Sequence, residues 1–109
     1  MEGFWTVRFK GMQGVGAGVI TLIGGQLFGG DSGFLYTGTY SQTGEGMQAR
    51  VHVKSYVPGV PNVMGREEFD LELSGTKQGS TLEAAGSIPG TQLRFSATLT
   101  KRSELPARG

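Results

Sequence analysis

The sequence contains no cysteine, so it can form neither a disulfide nor a thiolate metal site. It has one histidine and one tryptophan. Charge of either sign is not in excess: ten Lys and Arg stand against nine Asp and Glu, for a net of +1. A dedicated nucleic-acid binder shows a basic surplus, and the totals hold none. No apolar run approaches the roughly 20 residues of a membrane helix. The opening residues, Met1 to Trp5, lack the basic and apolar regions of a signal peptide. These absences lead to the expectation of a cytoplasmic protein with no nucleic-acid or membrane partner. Amphipathic helical patterning of useful length is missing as well.

Glycine is abundant instead, with 20 among 109 residues, and 109 residues suit one domain. Residues 19–40 are the most telling stretch. Short apolar and aromatic runs there are punctuated by Gly24-Gly25 and by Gly29-Gly30-Asp31. Each glycine inside a helix costs about 1 kcal/mol relative to alanine, so a helix is excluded. Closely spaced strands joined by tight turns use such glycines well.

Most of the chain has a period of two. Met47, Ala49, Val51 and Val53 alternate with Gln48, Arg50, His52 and Lys54. Phe69, Leu71 and Leu73 alternate with Glu68, Asp70 and Glu72, and Leu93, Phe95, Ala97 and Leu99 with Arg94, Ser96, Thr98 and Thr100. Each run is a half-buried strand with one wet face. Eight strands are expected, at 3–10, 15–23, 26–29, 34–42, 46–56, 67–74, 79–88 and 91–100. Many short strands with turn signals and no helix indicate a barrel or a sandwich. Short connections favour an all-β, eight-stranded antiparallel up-and-down arrangement, and the resemblances given below imply a β-barrel of the lipocalin or calycin kind. Residues 57–66 form the one long connection, and their two prolines exclude a central strand. A single barrel domain over residues 1–101 with a loose tail over 102–109 is expected.

Charge predicts one register. Pairing Lys54 with Glu68 sets His52 opposite Asp70 and Arg50 opposite Glu72. Three basic groups then face three carboxylates on the wet side. The acidic run of Glu67, Glu68, Asp70 and Glu72 is thereby a solvated, neutralised face and not an acid/base site. His52 has no visible triad or ligand set beside it, so no catalytic residue, metal site or cofactor is expected. The glycine-rich run at residues 24–30 carries neither the lysine nor the following helix of a phosphate-binding loop.

Gly3-Phe4-Trp5 is similar to the G-x-W motif in the first strand of lipocalin-like barrels. In those barrels the tryptophan closes one end and a basic residue of the last strand packs over it. Lys101 or Arg102 would supply that cation–π contact here. Thr37-Gly38-Thr39-Tyr40 is also similar to a strand of the avidins. Their biotin pocket needs several tryptophans, however, and Trp5 is alone.

Taken in order, Gly3 to Phe9, Gly16-Ala17-Gly18-Val19-Ile20, Gly29-Gly30-Asp31 and the aromatic strand to Tyr40 resemble the GrlR family. The resemblance continues through Val51 to Tyr56 and the strand from Phe69 to Leu73. The best-known members are negative regulators of type III secretion genes in enteric bacteria. The resemblance implies a lipocalin-like barrel, a homodimer, and non-enzymatic regulation by binding a transcriptional activator. In the enteric regulator an acidic Glu-Asp-Glu-Asp run after the aromatic strand is credited with partner binding. The corresponding partner loop here is Ser41, Gln42, Thr43 and Glu45, in which Glu45 is the one acidic residue.

The alternative function is a binding protein or sensor for a small lipophilic ligand in the barrel interior. An eight-stranded barrel is just wide enough to be filled by side chains or to hold one such molecule. Its cavity would be lined by Phe4 or Trp5, Phe34 or Leu35, Val51, Phe69, Leu71, Phe95 and Leu99, with Trp5 and Leu35 the expected members of the two pairs.

Overall fold

A computed structural model describes residues 1–11, 14–60 and 66–106 of the chain. They form β1 (Gly3–Gly11), β2 (Gly14–Ile23), β3 (Gln26–Gly30), β4 (Phe34–Thr43), β5 (Gly46–Ser55), β6 (Glu68–Gln78), β7 (Thr81–Ser87) and β8 (Arg94–Ser103). Each strand pairs antiparallel with the next, and β8 closes onto β1. The protein is a closed, eight-stranded, up-and-down β-barrel of lipocalin-like form. Every strand thus has a neighbour on both sides, although Gly14–Gly18 of β2 extend beyond the short β3.

Turn chemistry explains the meander. Ile23 pairs with Gln26, so Gly24 and Gly25 form a two-residue hairpin loop, at φ +57° and +80°. Positive φ at both positions is what the tightest hairpins require, and glycine reaches it without a Cβ clash. The Gly29-Gly30-Asp31 signal works differently from the expectation of a turn. Gly29 and Gly30 belong to β3, and a Cβ on Gly29 would lie 2.0 Å from the Val19 carbonyl oxygen. Glycine is needed there for close approach of two backbones. The turn itself is built by Asp31, whose Oδ1 accepts from the Gly33 and Phe34 amides at 2.9 Å each.

Inward and outward residues alternate around the barrel. One end is sealed by Trp5, Leu22, Leu27, Met47 and Leu82, all fully buried. Trp5 Nε1 donates to the Met1 carbonyl at 3.1 Å, and the Glu2 carboxylate accepts from the Gly24 amide at 2.6 Å. The start of the chain is thus stitched across the end that the tryptophan plugs. At the opposite end, Val60, Ile88 and Leu93 from the two longer connections pack onto the core.

The boundaries of β6, β7 and β8 depart most from the sequence reading, and β7 is shorter than expected, at Thr81–Ser87. β6 continues to Gln78 because Ser74, Gly75 and Thr76 pair with β5 and β7 although they carry no apolar alternation. β8 is displaced toward the C-terminus, to Arg94–Ser103, so Arg102 and Ser103 belong to the barrel and not to a tail. Ser103 pairs with Phe4 across a bulge in β8, where Arg102 is the extra residue between Lys101 and Ser103. Residues 61–65 of the long connection and 107–109 of the expected tail lie outside the described residues.

Candidate functional site

The barrel interior contains a partly open cavity of about 90 Å³ with an almost wholly apolar wall. Val51, Phe69, Leu71, Phe95 and Leu99 line it. Trp5 does not: it is buried in the sealed end, on the other side of the packed layer. Leu35 does not either. It is 49% exposed and points outward, and its neighbour Phe34 is the inward residue. Two consecutive apolar residues concealed the phase of β4. Thr37, Thr39 and Ser41 share the parity of Leu35, so their polarity was the signal that could have set it.

Among the wall residues not assigned to it from sequence are Phe9, Asp31 and Tyr36. Gly16 and Gly18 on β2 carry no side chain toward the interior, and Phe9 and Tyr36 occupy that room. Their rings meet edge to face with centroids 6.5 Å apart. The Tyr36 hydroxyl donates to Asp31 Oδ2. Burial, with the adjacent Asp31 carboxylate, raises the Tyr36 pKa far above the ordinary phenol value. The phenol therefore stays neutral and keeps donating. Tyr56 ties the same turn down from outside: its hydroxyl donates to the Asp31 carbonyl at 2.7 Å, and its amide to the Gly33 carbonyl at 2.9 Å.

The outer surface has two contrasting faces. On β5 and β6, Lys54 stands opposite Glu68, His52 opposite Asp70 and Arg50 opposite Glu72, as the charge pattern predicts. Arg50 pairs with Glu72 at 2.9 Å. His52 does more than face Asp70. Its Nδ1 donates to Asp70 at 2.7 Å and its Nε2 donates diagonally to Glu68 at 2.8 Å. Ionised carboxylates accept and cannot donate, so both hydrogen bonds form together when the ring is protonated. The two hydrogen bonds, from Asp70 first and then Glu68, raise the His52 pKa. Glu68 is thus engaged by His52, and Lys54 forms no ion pair among the described residues.

The outward positions of β2, β3 and β4 carry no charged side chain, and charge borders them from β1 (Arg8, Lys10) and β5 (Lys54, His52). Outward positions of β2, β3 and β4 are Val15, Ala17, Val19, Thr21, Ile23, Gln26, Phe28, Gly30, Leu35, Thr37, Thr39 and Ser41. Phe4, Val19, Ile23, Phe28 and Leu35 are each between 41% and 49% exposed. They are contiguous in register: Thr21 lies between Phe4 and Phe28, and Gly30 between Val19 and Leu35.

The loop residues Ser41, Gln42, Thr43 and Glu45 are all exposed, at the β4–β5 hairpin. Gln42 Nε2 donates to the Gly44 carbonyl at 3.2 Å, and the Glu45 carbonyl accepts from the Lys77 amide at 2.7 Å. The expected contact of a basic residue with the Trp5 ring does not form among the described residues. Lys101 Nζ pairs instead with Glu104 at 2.8 Å, and Arg102 Nε donates to Thr6 Oγ1 at 2.8 Å.

No protein-family model matches the chain, and no curated protein matches it. The fold and site define a small closed barrel with a limited apolar cavity and an exposed apolar strip along β2–β4.

Proposed function

We propose that the protein is a non-enzymatic regulatory protein of the GrlR kind, working by protein–protein contact through the outer face of β1–β4. The observation that carries this reading is the contiguous apolar patch of Phe4, Val19, Ile23, Phe28 and Leu35, set within uncharged threonines. Exposed contiguous apolar surface of this kind marks interaction sites. Every strand of the barrel has a neighbour on both sides, which favours docking on a face over the addition of a whole strand. The core of the face is apolar and its rim is basic: Arg8 and Lys10 stand opposite Ala17 and Val15 on one side, and Lys54 stands opposite Leu35 on the other. A homodimer buries the apolar core in both copies about a two-fold axis, with the basic rim at its margin. In the regulatory reading the further target is a transcriptional activator in the cytoplasm. The chain lacks the acidic loop of the enteric regulators, so its activator is held by apolar contact.

The double variant Phe28→Glu and Leu35→Lys tests the reading. Both side chains are half exposed, so the barrel should keep its circular-dichroism spectrum and melting temperature. Light scattering after size exclusion should show a dimer for the natural chain and a monomer for the variant. The tagged natural chain should copurify from its own cells with a DNA-binding activator, and the variant should not. A natural chain that is monomeric and captures no activator refutes the proposal, as does a variant that keeps both partners.

A further inference from the structure

We propose that the interior cavity is a binding site for a small neutral apolar molecule of about one ring, and that it excludes carboxylates and long-chain fatty acids. This inference is independent of the docking face, because the cavity lies on the inner side of the barrel wall. Size sets the first limit. The space is about 90 Å³ and partly open. Ordinary ligand pockets run to about 300–1,000 Å³, whereas a dry apolar cavity of roughly 150 Å³ holds a benzene. A single ring can enter here with one edge projecting through the open side. A chain of ten or more methylenes cannot.

Wall chemistry sets the second limit. The rings of Phe9, Phe34, Phe69 and Phe95 face the space, with Val51 and Leu71 between them. Among the described residues, neither lysine, arginine nor histidine lines it. The polar side chains at its boundary are Asp31 and Tyr36, and the Tyr36 hydroxyl hydrogen is already given to Asp31. The Gly33 and Phe34 amides are likewise committed to Asp31 Oδ1. An entering carboxylate would therefore lose its water, find no side-chain donor, and meet the Asp31 carboxylate. A neutral ring loses nothing of the kind and gains dispersion contacts on several sides.

Toluene and benzoate make a matched pair of probes, with dodecanoate as the long-chain probe. Toluene should raise the melting temperature of the natural chain and shift the methyl resonances of Val51, Val53 and Leu71. Benzoate should bind at least about tenfold more weakly, a difference of about 1.4 kcal/mol. Dodecanoate should leave those methyls unmoved. Leu71→Phe fills the space from within. If that variant folds, its loss of the toluene response supports the proposal, and a retained response overturns it. Should it fail to fold, the natural chain decides alone. Methyls unshifted at the solubility limit of toluene, benzoate binding as tightly as toluene, or dodecanoate displacing toluene would each overturn the assignment.

Discussion

Trp5 shows how one residue can be read correctly for burial and incorrectly for its neighbours. Its G-x-W setting implies a plug at one barrel end, and the ring is 1% exposed there. What holds the indole is the Met1 carbonyl and surrounding aliphatic side chains, and not a cation from β8. Trp5→Ala would leave a large void in a layer that cannot collapse, because barrel strands are fixed to both neighbours. We expect a loss of about 3–5 kcal/mol, read from the denaturant midpoint. An unchanged midpoint would contradict the plug. Gly38 is sensitive for a different reason. A Cβ there would lie 2.0 Å from the Arg50 carbonyl oxygen, so even alanine must push β4 away from β5. Gly38→Ala should cost about 1–3 kcal/mol by the same measurement. A neutral result would mean the two backbones separate more easily than the closed ladder implies.

At the scale of elements, the β5–β6 pair was legible in detail because charge and apolar alternation agree on one register. A slip by one residue would turn Val51 and Phe69 outward and the charged groups inward. The diagonal contact from His52 to Glu68 was not legible. It depends on strand twist and on the reach of the imidazole, which brings Glu68 nearer to His52 than to its opposed Lys54. The His52 pKa is raised above its ordinary 6.5 in the folded barrel. Folding therefore gains from protonated His52 fully below pH 6.5, and the gain disappears as pH rises through the raised folded value. The ring is exposed to solvent, so the contribution stays below about 1 kcal/mol. Between about pH 6 and about pH 9 the natural chain should lose melting temperature relative to His52→Gln, whose profile should be flatter. Identical slopes for the two chains would show that the clamp contributes nothing to stability.

For the whole molecule, closure has two consequences. It gives every strand a neighbour on both sides, and it sorts outward residues into faces that no single strand reveals. Arg50, His52 and Lys54 are visible as a polar series within one strand. The apolar face is different, because Phe4, Val19, Phe28 and Leu35 lie on four strands and look like isolated apolar residues in sequence order. Association through it is driven by apolar burial, and its rim cations Arg8, Lys10 and Lys54 are of like sign, so screening them does not weaken it. The proposed dimer should accordingly persist when salt is raised from about 0.1 M to about 1 M, where charge contacts are screened. Dissociation by salt in light scattering would place the contact on the β5–β6 side instead.

The sequence by itself determined the barrel class, the order of its strands, the β5–β6 register and the burial of Trp5. These follow from local rules: period-two alternation, positive-φ glycines at turns, and opposite charges at matched positions. Tertiary structure alone decided that Phe34 and not Leu35 faces inward, and that Gly29 and Gly30 serve close packing and not a turn. It also decided that β8 takes in Arg102 and Ser103, and that the interior is nearly filled. Each of these depends on how eight strands are staggered and coiled around a common axis. That stagger decides which side chains meet in the middle, how much room remains between them, and which apolar residues gather on one outer face. In residues 19–40 the glycine punctuation marks where strands turn or touch, and only barrel closure tells the two apart.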